Sequence, residues 1–241
     1  PLDQDPGQAE LGQFVHQALE DFVRQCPGEI PDGALEILLD CGKKAFGDHL
    51  ARPEVWTFWW PRFERVARWF TGWERAHRRS GARPLATEVK GSMTRLSGGG
   101  AFTLRARADR IDLLADSSVA ILDYKTGAVP TKAEVAAGLS PQLPLEALIM
   151  QHSGFEGLES RRTGEMLYLQ LSGRSSEPGK AISAGDCLPL VEGALHGLEA
   201  LVAIFDVPET PYLSRPDPRH APRYSDYNHL ARVGEWGQSN G

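Results

Sequence analysis

A carboxylate and an ammonium group are spaced two residues apart at the end of an apolar segment. Asp123 and Lys125 directly follow the residues Val119–Leu122. In a β-strand, residues i and i+2 point to the same face, so the two side chains would lie side by side. Burying such charges is costly unless they are paired. The pair alone is compatible with an ordinary salt bridge as well as with a chemical site.

Two more carboxylates stand on the preceding segment. A hairpin between the two segments would bring Asp109 and Asp112 beside Asp123. Converging carboxylates repel one another unless a divalent cation lies between them, and oxygen ligands favour Mg²⁺ or Mn²⁺. A metal ion lowers the pKa of bound water, and the adjacent Lys125 could orient that water or neutralise charge on a phosphate. The residues therefore suggest phosphoryl-transfer chemistry.

These residues also carry a family resemblance. Residues 109–112 (DRID) and 121–127 (ILDYKTG) resemble motifs II and III of the PD-(D/E)XK nucleases of the RecB type. Residues 141–145 (PQLPL) resemble the motif of the following helix, and Gly12-xxx-His16-xxx-Glu20 resembles the N-terminal helix motif. The resemblance implies a metal-dependent, exonuclease-type deoxyribonuclease. It also implies an α/β fold: a restriction-endonuclease-like core with a central mixed β-sheet flanked by helices, and a helical N-terminal part.

The resemblance assigns a role to each matching residue. Lys125 would act on the attacking water, Gln142 would position Lys125, and Glu88 would be an outer carboxylate supporting the water or a second ion. The implied cofactor is Mg²⁺ or Mn²⁺. Its ligands would be three side chains and one backbone carbonyl group, those of His16, Asp109, Asp123 and Tyr124.

A closer resemblance is to the C-terminal nuclease domains of the AddB family of double-strand-break repair proteins. Residues 141–147, 166–173 and 226–233 carry it. It implies cleavage of helicase-unwound DNA in repair and recombination, with single-stranded or unwound DNA, an AddA-like helicase-nuclease subunit and the rest of an AddB-like chain as partners. Several AddB proteins hold an iron-sulfur cluster on four cysteines. Because this chain has three scattered cysteines, no iron-sulfur cluster is expected.

Charge is distributed unevenly along the chain. With 32 acidic and 26 basic residues the net charge is -6, which disfavours nucleic-acid binding by bulk attraction. Residues 52–95, however, hold ten Lys or Arg against four Glu. Four arginines in this segment fall near one helical face and are candidate phosphate contacts, although a solvated helix face is an equal alternative. They are Arg65, Arg68, Arg75 and Arg79.

The elements that would position these residues follow from hydrophobic periodicity. It predicts three parts of one integrated domain: a helical part over 1–83, a nuclease core over 84–206 and a wrapping tail over 207–241. The predicted helices cover 10–25, 32–50, the segment from 61 onward, 131–153 and 187–205; the predicted strands cover 85–95, 101–115, 118–126 and 164–172.

Composition limits the class of protein. The chain is 41% hydrophobic and 24% charged, contains no apolar run of the roughly 20 residues that a membrane span needs, and begins without a signal-peptide pattern. We therefore expect a soluble cytoplasmic protein with no membrane partner. Three functions stay open: a nuclease domain that works with a helicase, a non-cleaving DNA-binding or scaffolding module of a helicase-nuclease complex, and, less favoured, a stand-alone exonuclease without partners. The full set of Asp109, Asp123 and Lys125 favours the nuclease, since a scaffold has no chemical need for all three.

Overall fold

We describe a computed structural model of the protein, which covers residues 8–97 and 100–213. The helices are α1 (Gln8–Gln25), α2 (Ala34–Phe46), α3 (Trp60–Arg79), α4 (Lys132–Ala136), α5 (Gln142–Gln151) and α6 (Cys187–Phe205). A 3-10 turn (Gly47–Ala51) and a π-helical turn (Val55–Trp59) link α2 to α3. The strands are β1 (Arg83–Ser97), β2 (Gly100–Leu113), β3 (Val119–Lys125), β4 (Thr163–Gln170) and β5 (Lys180–Ser183).

The five strands form one sheet in the order β1-β2-β3-β4-β5. Only β3 and β4 run parallel among these neighbours, and the segment holding α4 and α5 connects them. The other neighbouring pairs are antiparallel. This arrangement confirms the mixed sheet flanked by helices that the sequence predicted.

Helices cover both faces of the sheet. In the first layer, α1, α2 and α3 pack on one face; in the second layer, α5 and α6 pack on the other. Alternate residues of β3 enter opposite layers: Ala120, Leu122 and Tyr124 the first, Val119 and Ile121 the second. A strand that is buried on both faces reads as a continuous apolar run, which explains the sequence before Asp123.

The prediction of one helix over 131–153 was wrong. The structure has two helices there, because Gly138 adopts a positive φ of 71° after α4 and Pro141 caps α5. A capping box of Thr131 and Glu134 starts α4. The break matters because it makes Gln142 the first residue of α5, next to the end of β3.

The C-terminal part of the described chain consists of helix α6 and the first residues of the predicted tail. By length and composition, α6 is the one described helix that could cross a membrane, and 11% of it is buried; one such helix is weak evidence of a membrane span. Residues 207–213 of the predicted tail are described and mostly exposed. The rest of that tail, including residues 226–233, lies outside the described residues.

Asp112 does not join Asp109 and Asp123, contrary to the sequence expectation. It lies opposite Ala120 on β3 and therefore faces α3. There it accepts hydrogen bonds from Arg110 Nε at 2.7 Å and from His77 Nε2 at 2.9 Å. Burial alone would raise the pKa of Asp112, but Arg110 and His77 hold it below its usual value. Asp112 is thus part of the packing between α3 and β2.

Arg110 is the centre of this buried network. Its two terminal nitrogens donate to the two carboxylate oxygens of Glu74, both at 2.7 Å, and Arg78 Nε donates to the same carboxylate at 2.7 Å. Arg110, Glu74 and Asp112 have no exposed surface. Such a network ties α3 to β2, but it depends on every charge keeping its partner.

We expect Arg110→Ala to lower the free energy of unfolding by about 3–5 kcal/mol, because it leaves Glu74 and Asp112 buried without their main partner. Urea unfolding measures the effect. The exposed Arg79 supplies a control, and Arg79→Ala should change stability by about 0.5 kcal/mol at most. Equal effects of the two substitutions would contradict the structural role of the network.

Candidate active site

The strands β1 and β2 depart from regular alternation where the site begins. Ala108 and Ile111 both pack into the second layer, although they are three residues apart. On β1, Glu88 has a φ of 50°, which is unfavourable for a residue with a side chain. This irregularity lets Glu88 and Asp109 face α1, where both line a cavity of about 450 Å³ with His16.

Helix α1 places His16 at the end of β3. Its apolar side chains fill the first layer, and Gly12 allows close approach, since a Cβ atom there would lie 3.3 Å from Thr126 Oγ1. His16 Nε2 donates to the carbonyl oxygen of Tyr124 at 2.9 Å. His16 Nδ1 lies 3.6 Å from Asp109 Oδ2, which also accepts the backbone N–H of Tyr124 at 2.8 Å. Three of the predicted metal ligands therefore adjoin one another.

His16, Glu88 and Asp109 form a group that could hold a metal ion. One ligand atom of each lies within 4.8 Å of the others. Burial raises the pKa of Asp109, and burial together with Asp109 raises the pKa of Glu88. A divalent cation would relieve this repulsion; the two carboxylates suit Mg²⁺ and Mn²⁺ alike, whereas the imidazole nitrogen suits Mn²⁺ better than Mg²⁺. The donor set therefore fits the implied metal. It includes Glu88, for which the sequence predicted an outer position.

Asp123 forms a second group with Lys125 and Gln142. Lys125 Nζ lies 2.8 Å from each carboxylate oxygen of Asp123 and donates to Gln142 Oε1 at 3.3 Å. Gln142 Nε2 donates to Asp123 Oδ1 at 2.7 Å. Burial raises the pKa of Asp123, and its bonds to Lys125 and Gln142 only partly offset this. In the described residues, Asp123 is therefore outside the His16, Glu88 and Asp109 group, although its charge still acts on Asp109.

Glu146 supports this group from within α5, and sequence reasoning assigned it no role. It lies one helical turn after Gln142, is 2% exposed, and accepts a hydrogen bond from Gln142 Nε2 at 3.2 Å. Burial, with Asp123 and Asp109 nearby, raises the pKa of Glu146 to about 8, against the opposing bond from Gln142. The available signal was an acidic residue four positions after Gln142 in an otherwise apolar helix.

We expect Glu146→Gln to make stability less dependent on pH. The unfolded chain releases the Glu146 proton near pH 4.5, whereas the folded chain keeps it to about pH 8, so wild-type stability falls as pH rises through this interval. Glutamine has no such proton. The gain in unfolding free energy from Glu146→Gln should be about 3–4 kcal/mol larger at pH 8 than at pH 5. Urea unfolding in EDTA measures this, and an equal gain at both pH values would contradict the buried, protonated state.

The four arginines predicted to contact DNA have different surroundings. Arg65 Nε donates to the carbonyl oxygen of Gly173 at 2.7 Å, and an Arg75 terminal nitrogen donates to that of Pro31 at 3.0 Å. Arg68 and Arg79 are exposed. Two of the four thus hold neighbouring loops, and DNA contact by this helix face stays a prediction.

Similar curated proteins are much longer than this chain. An uncharacterized protein of Rickettsia bellii (strain RML369-C) is 28% identical over 152 residues. An uncharacterized protein of Rickettsia felis (strain ATCC VR-1525 / URRWXCal2) is 27% identical over 156 residues. Each alignment covers 63% of this chain but 18% of the relative's length. The similarity is therefore to one part of those proteins.

A solved structure is also similar. The protein described as "Crystal structure of SSO0001" aligns over 83% of this chain and 79% of its own, with a TM-score of 0.33 and 11% sequence identity. A likeness this weak does not bear on function.

The family comparison covers nearly the whole chain. The model of the PD-(D/E)XK nuclease superfamily matches residues 1–218. This range includes every site residue described above, from His16 on α1 to Glu146 on α5. The mixed sheet and flanking helices agree with the α/β fold of that superfamily. The chain belongs to the PD-(D/E)XK nuclease superfamily.

Proposed function

We propose that this chain is a metal-dependent DNA nuclease domain that hydrolyses phosphodiester bonds of helicase-unwound strands during double-strand-break repair and recombination. One observation carries the proposal: the ammonium group of Lys125, bonded to Asp123 and Gln142, lies at the end of the same strand whose Tyr124 contacts His16 and Asp109. A phosphate at this strand end would meet both groups of side chains.

The metal ion would be held by Asp109, His16 and Glu88, with Asp123 and the carbonyl oxygen of Tyr124 as the further ligands that the family resemblance implies. When bound, it supplies a water molecule of lowered pKa and charge that stabilises the phosphate in the transition state. Cleavage of the bond to the 3′ oxygen would leave a 5′-phosphate and a 3′-hydroxyl group.

The remaining chemistry falls to Lys125 and its partners. Lys125 Nζ would orient the attacking water and offset the negative charge that develops on the phosphate oxygens. Gln142 holds this ammonium group through its amide oxygen and holds Asp123 through its amide nitrogen. Glu146 accepts from that same nitrogen, which favours one orientation of the Gln142 amide. The arrangement keeps Lys125 in place before substrate binds.

The proposal also covers the partners, the substrate and the cellular location of the domain. The Rickettsia relatives match this chain over 18% of their length, which is compatible with a nuclease domain inside a longer, AddB-like protein. We propose the rest of such a chain and an AddA-like helicase-nuclease subunit as partners, unwound DNA as substrate, and the cytoplasm as the location. The sequence likeness of residues 141–147 and 166–173 to AddB supports this setting.

An assay with labelled single-stranded DNA tests the proposed activity. We expect the protein to cut the strand in Mg²⁺ or Mn²⁺, to stop in EDTA, and to resume when excess Mg²⁺ is added. The products should carry 5′-phosphate ends, which a phosphatase removes. Binding of the strand without cleavage under all these conditions would refute the nuclease proposal and favour the non-cleaving module.

A further inference from the structure

The β1–β2 hairpin carries cations on a solvent-facing surface that leads to the metal-binding group. Cross-strand partners in this register are Lys90 with Arg107, Ser92 with Arg105 and Thr94 with Thr103, and these side chains are exposed. Along β2, positions 105, 107 and 109 alternate in the same direction, so Arg105 and Arg107 precede Asp109 on one face. We call Lys90, Arg105 and Arg107 the hairpin cations.

The opposite face of the hairpin is packed, which fixes the position of the cations. Gly91 and Met93 are buried, and Gly91 forms a β-bridge with Phe155. A Cβ atom at Gly91 would lie 2.5 Å from the Phe155 ring, so the contact is close. Because this face packs against the second layer, the opposite face, which carries the hairpin cations, points towards solvent.

Two of the hairpin cations make no ion pair with a described residue. Lys90 and Arg105 are exposed and have none, whereas Arg107 Nε lies 2.7 Å from Glu88 Oε2 and so adjoins the metal-binding group. One exposed acidic residue, Glu156, lies beside Lys90. Exposed, unpaired cations contribute little to stability, but they suit contact with phosphates.

A series of surface cavities joins these residues to the metal-binding group. The cavity with His16 and Asp109 shares Glu88 with a second cavity of about 450 Å³. The second shares Lys90 with a third of about 280 Å³, which Arg105 also lines. From Asp109 to Arg105 the β-strand covers about 13 Å, so the two positions are far enough apart to contact different phosphates of one strand.

We propose that the nucleic-acid strand reaches the active site along the outer face of the β1–β2 hairpin, with its phosphates contacting Lys90 and Arg105. This inference rests on the proposed nuclease function and adds the path of the substrate. It gives the strand a binding surface separate from the predicted face of α3, where Arg65 and Arg75 already bind backbone carbonyl groups.

Salt dependence of binding tests this path. Affinity for a fluorescent single-stranded oligonucleotide is measured by anisotropy in Mg²⁺ at several salt concentrations, with all proteins carrying Lys125→Ala to prevent cleavage. Adding Lys90→Ala and Arg105→Ala should reduce the slope of log affinity against log salt by about 1.4, because each phosphate contact to a single strand contributes about 0.7. The control pair Lys43→Ala and Lys44→Ala, two exposed lysines on α2, should leave the slope unchanged.

The outcomes separate this inference from the proposed function. An unchanged slope in the hairpin variant would overturn the path, as would an equal loss of slope in the α2 control. A reduced slope in the hairpin variant supports the path even if the wild type cleaves no DNA, in which case only the nuclease proposal fails. Cleavage by the wild type with an unchanged hairpin slope overturns the path and leaves the nuclease proposal intact.

Discussion

Replacing Lys125 by alanine should reduce the rate of Mg²⁺-dependent cleavage by roughly 10²- to 10³-fold, the loss expected when one group that stabilises the transition state is removed. Lys125 Nζ is held at 2.8 Å from Asp123 and at 3.3 Å from Gln142. Alanine removes the ammonium group that would act on water and phosphate. The side chain is partly exposed at a strand end, so folding should survive. Single-turnover cleavage with enzyme in excess measures the rate constant of the chemical step.

An exposed lysine outside the site provides the control for this prediction. Lys44→Ala, on α2, should cleave DNA at the wild-type rate. Because all three proteins are purified alike, activity that persists in Lys125→Ala at the level of Lys44→Ala would show either a contaminating nuclease or a reaction that does not use Lys125.

Asp109→Asn should lower the affinity for Mn²⁺ by more than about 100-fold and remove cleavage with it. Asp109 is the carboxylate that faces both His16 and Glu88. Removing a residue that only hydrogen-bonds to a metal ligand already lowers metal affinity by about 10- to 100-fold. Removing a charged ligand itself should therefore lower metal affinity by more. Asparagine keeps the size of aspartate and an oxygen that can accept the Tyr124 N–H. The fold should therefore be retained, and His16→Ala should weaken binding less.

Calorimetric titration with Mn²⁺ measures these affinities and also gives their pH dependence. Because the pKa values of Asp109 and Glu88 are raised in the metal-free protein, protons compete with the metal at low pH. Wild-type affinity should rise with pH as these carboxyl groups lose their protons. Equal Mn²⁺ affinity in the wild type and Asp109→Asn would place the metal somewhere else.

Local spacing was enough to predict part of the site. Asp123 and Lys125 contact each other because they are two residues apart on one strand, a property of the chain that needs no tertiary information. The order of most elements was equally readable from the hydrophobic pattern, but β5 (Lys180–Ser183) was not among the predicted strands. The break before Gln142 was also visible in principle, because Gly138 and Pro141 interrupt the helical pattern.

Other parts of the site depend on contacts between distant segments. Glu88 joins His16 and Asp109 only because regular strand alternation fails at this point in the hairpin and α1 packs across it. The β2–β3 register pairs Asp112 with Ala120, three residues before Asp123, so Asp112 lies on the opposite face of the sheet, where it contacts Arg110. Periodicity within one strand does not contain this information.

The arginines of α3 illustrate the same limit. Their spacing correctly placed them along one side of a helix, but it could not reveal that Gly173 and Pro31 would offer carbonyl oxygens to two of them. The hairpin cations, in contrast, were not predicted at all. Lys90, Arg105 and Arg107 are separated in sequence, and only the pairing of β1 with β2 brings them together.

The claim on which the rest depends is that Asp109 helps to bind a catalytic divalent cation. A crystal structure of the protein soaked in Mn²⁺, with anomalous scattering data, tests it most directly. We predict an anomalous peak about 2.0–2.2 Å from an oxygen of Asp109 and within ligand distance of His16 or Glu88, absent from crystals of Asp109→Asn. A well-ordered Asp109 with no peak beside it, or a peak that persists unchanged in Asp109→Asn, would contradict the account.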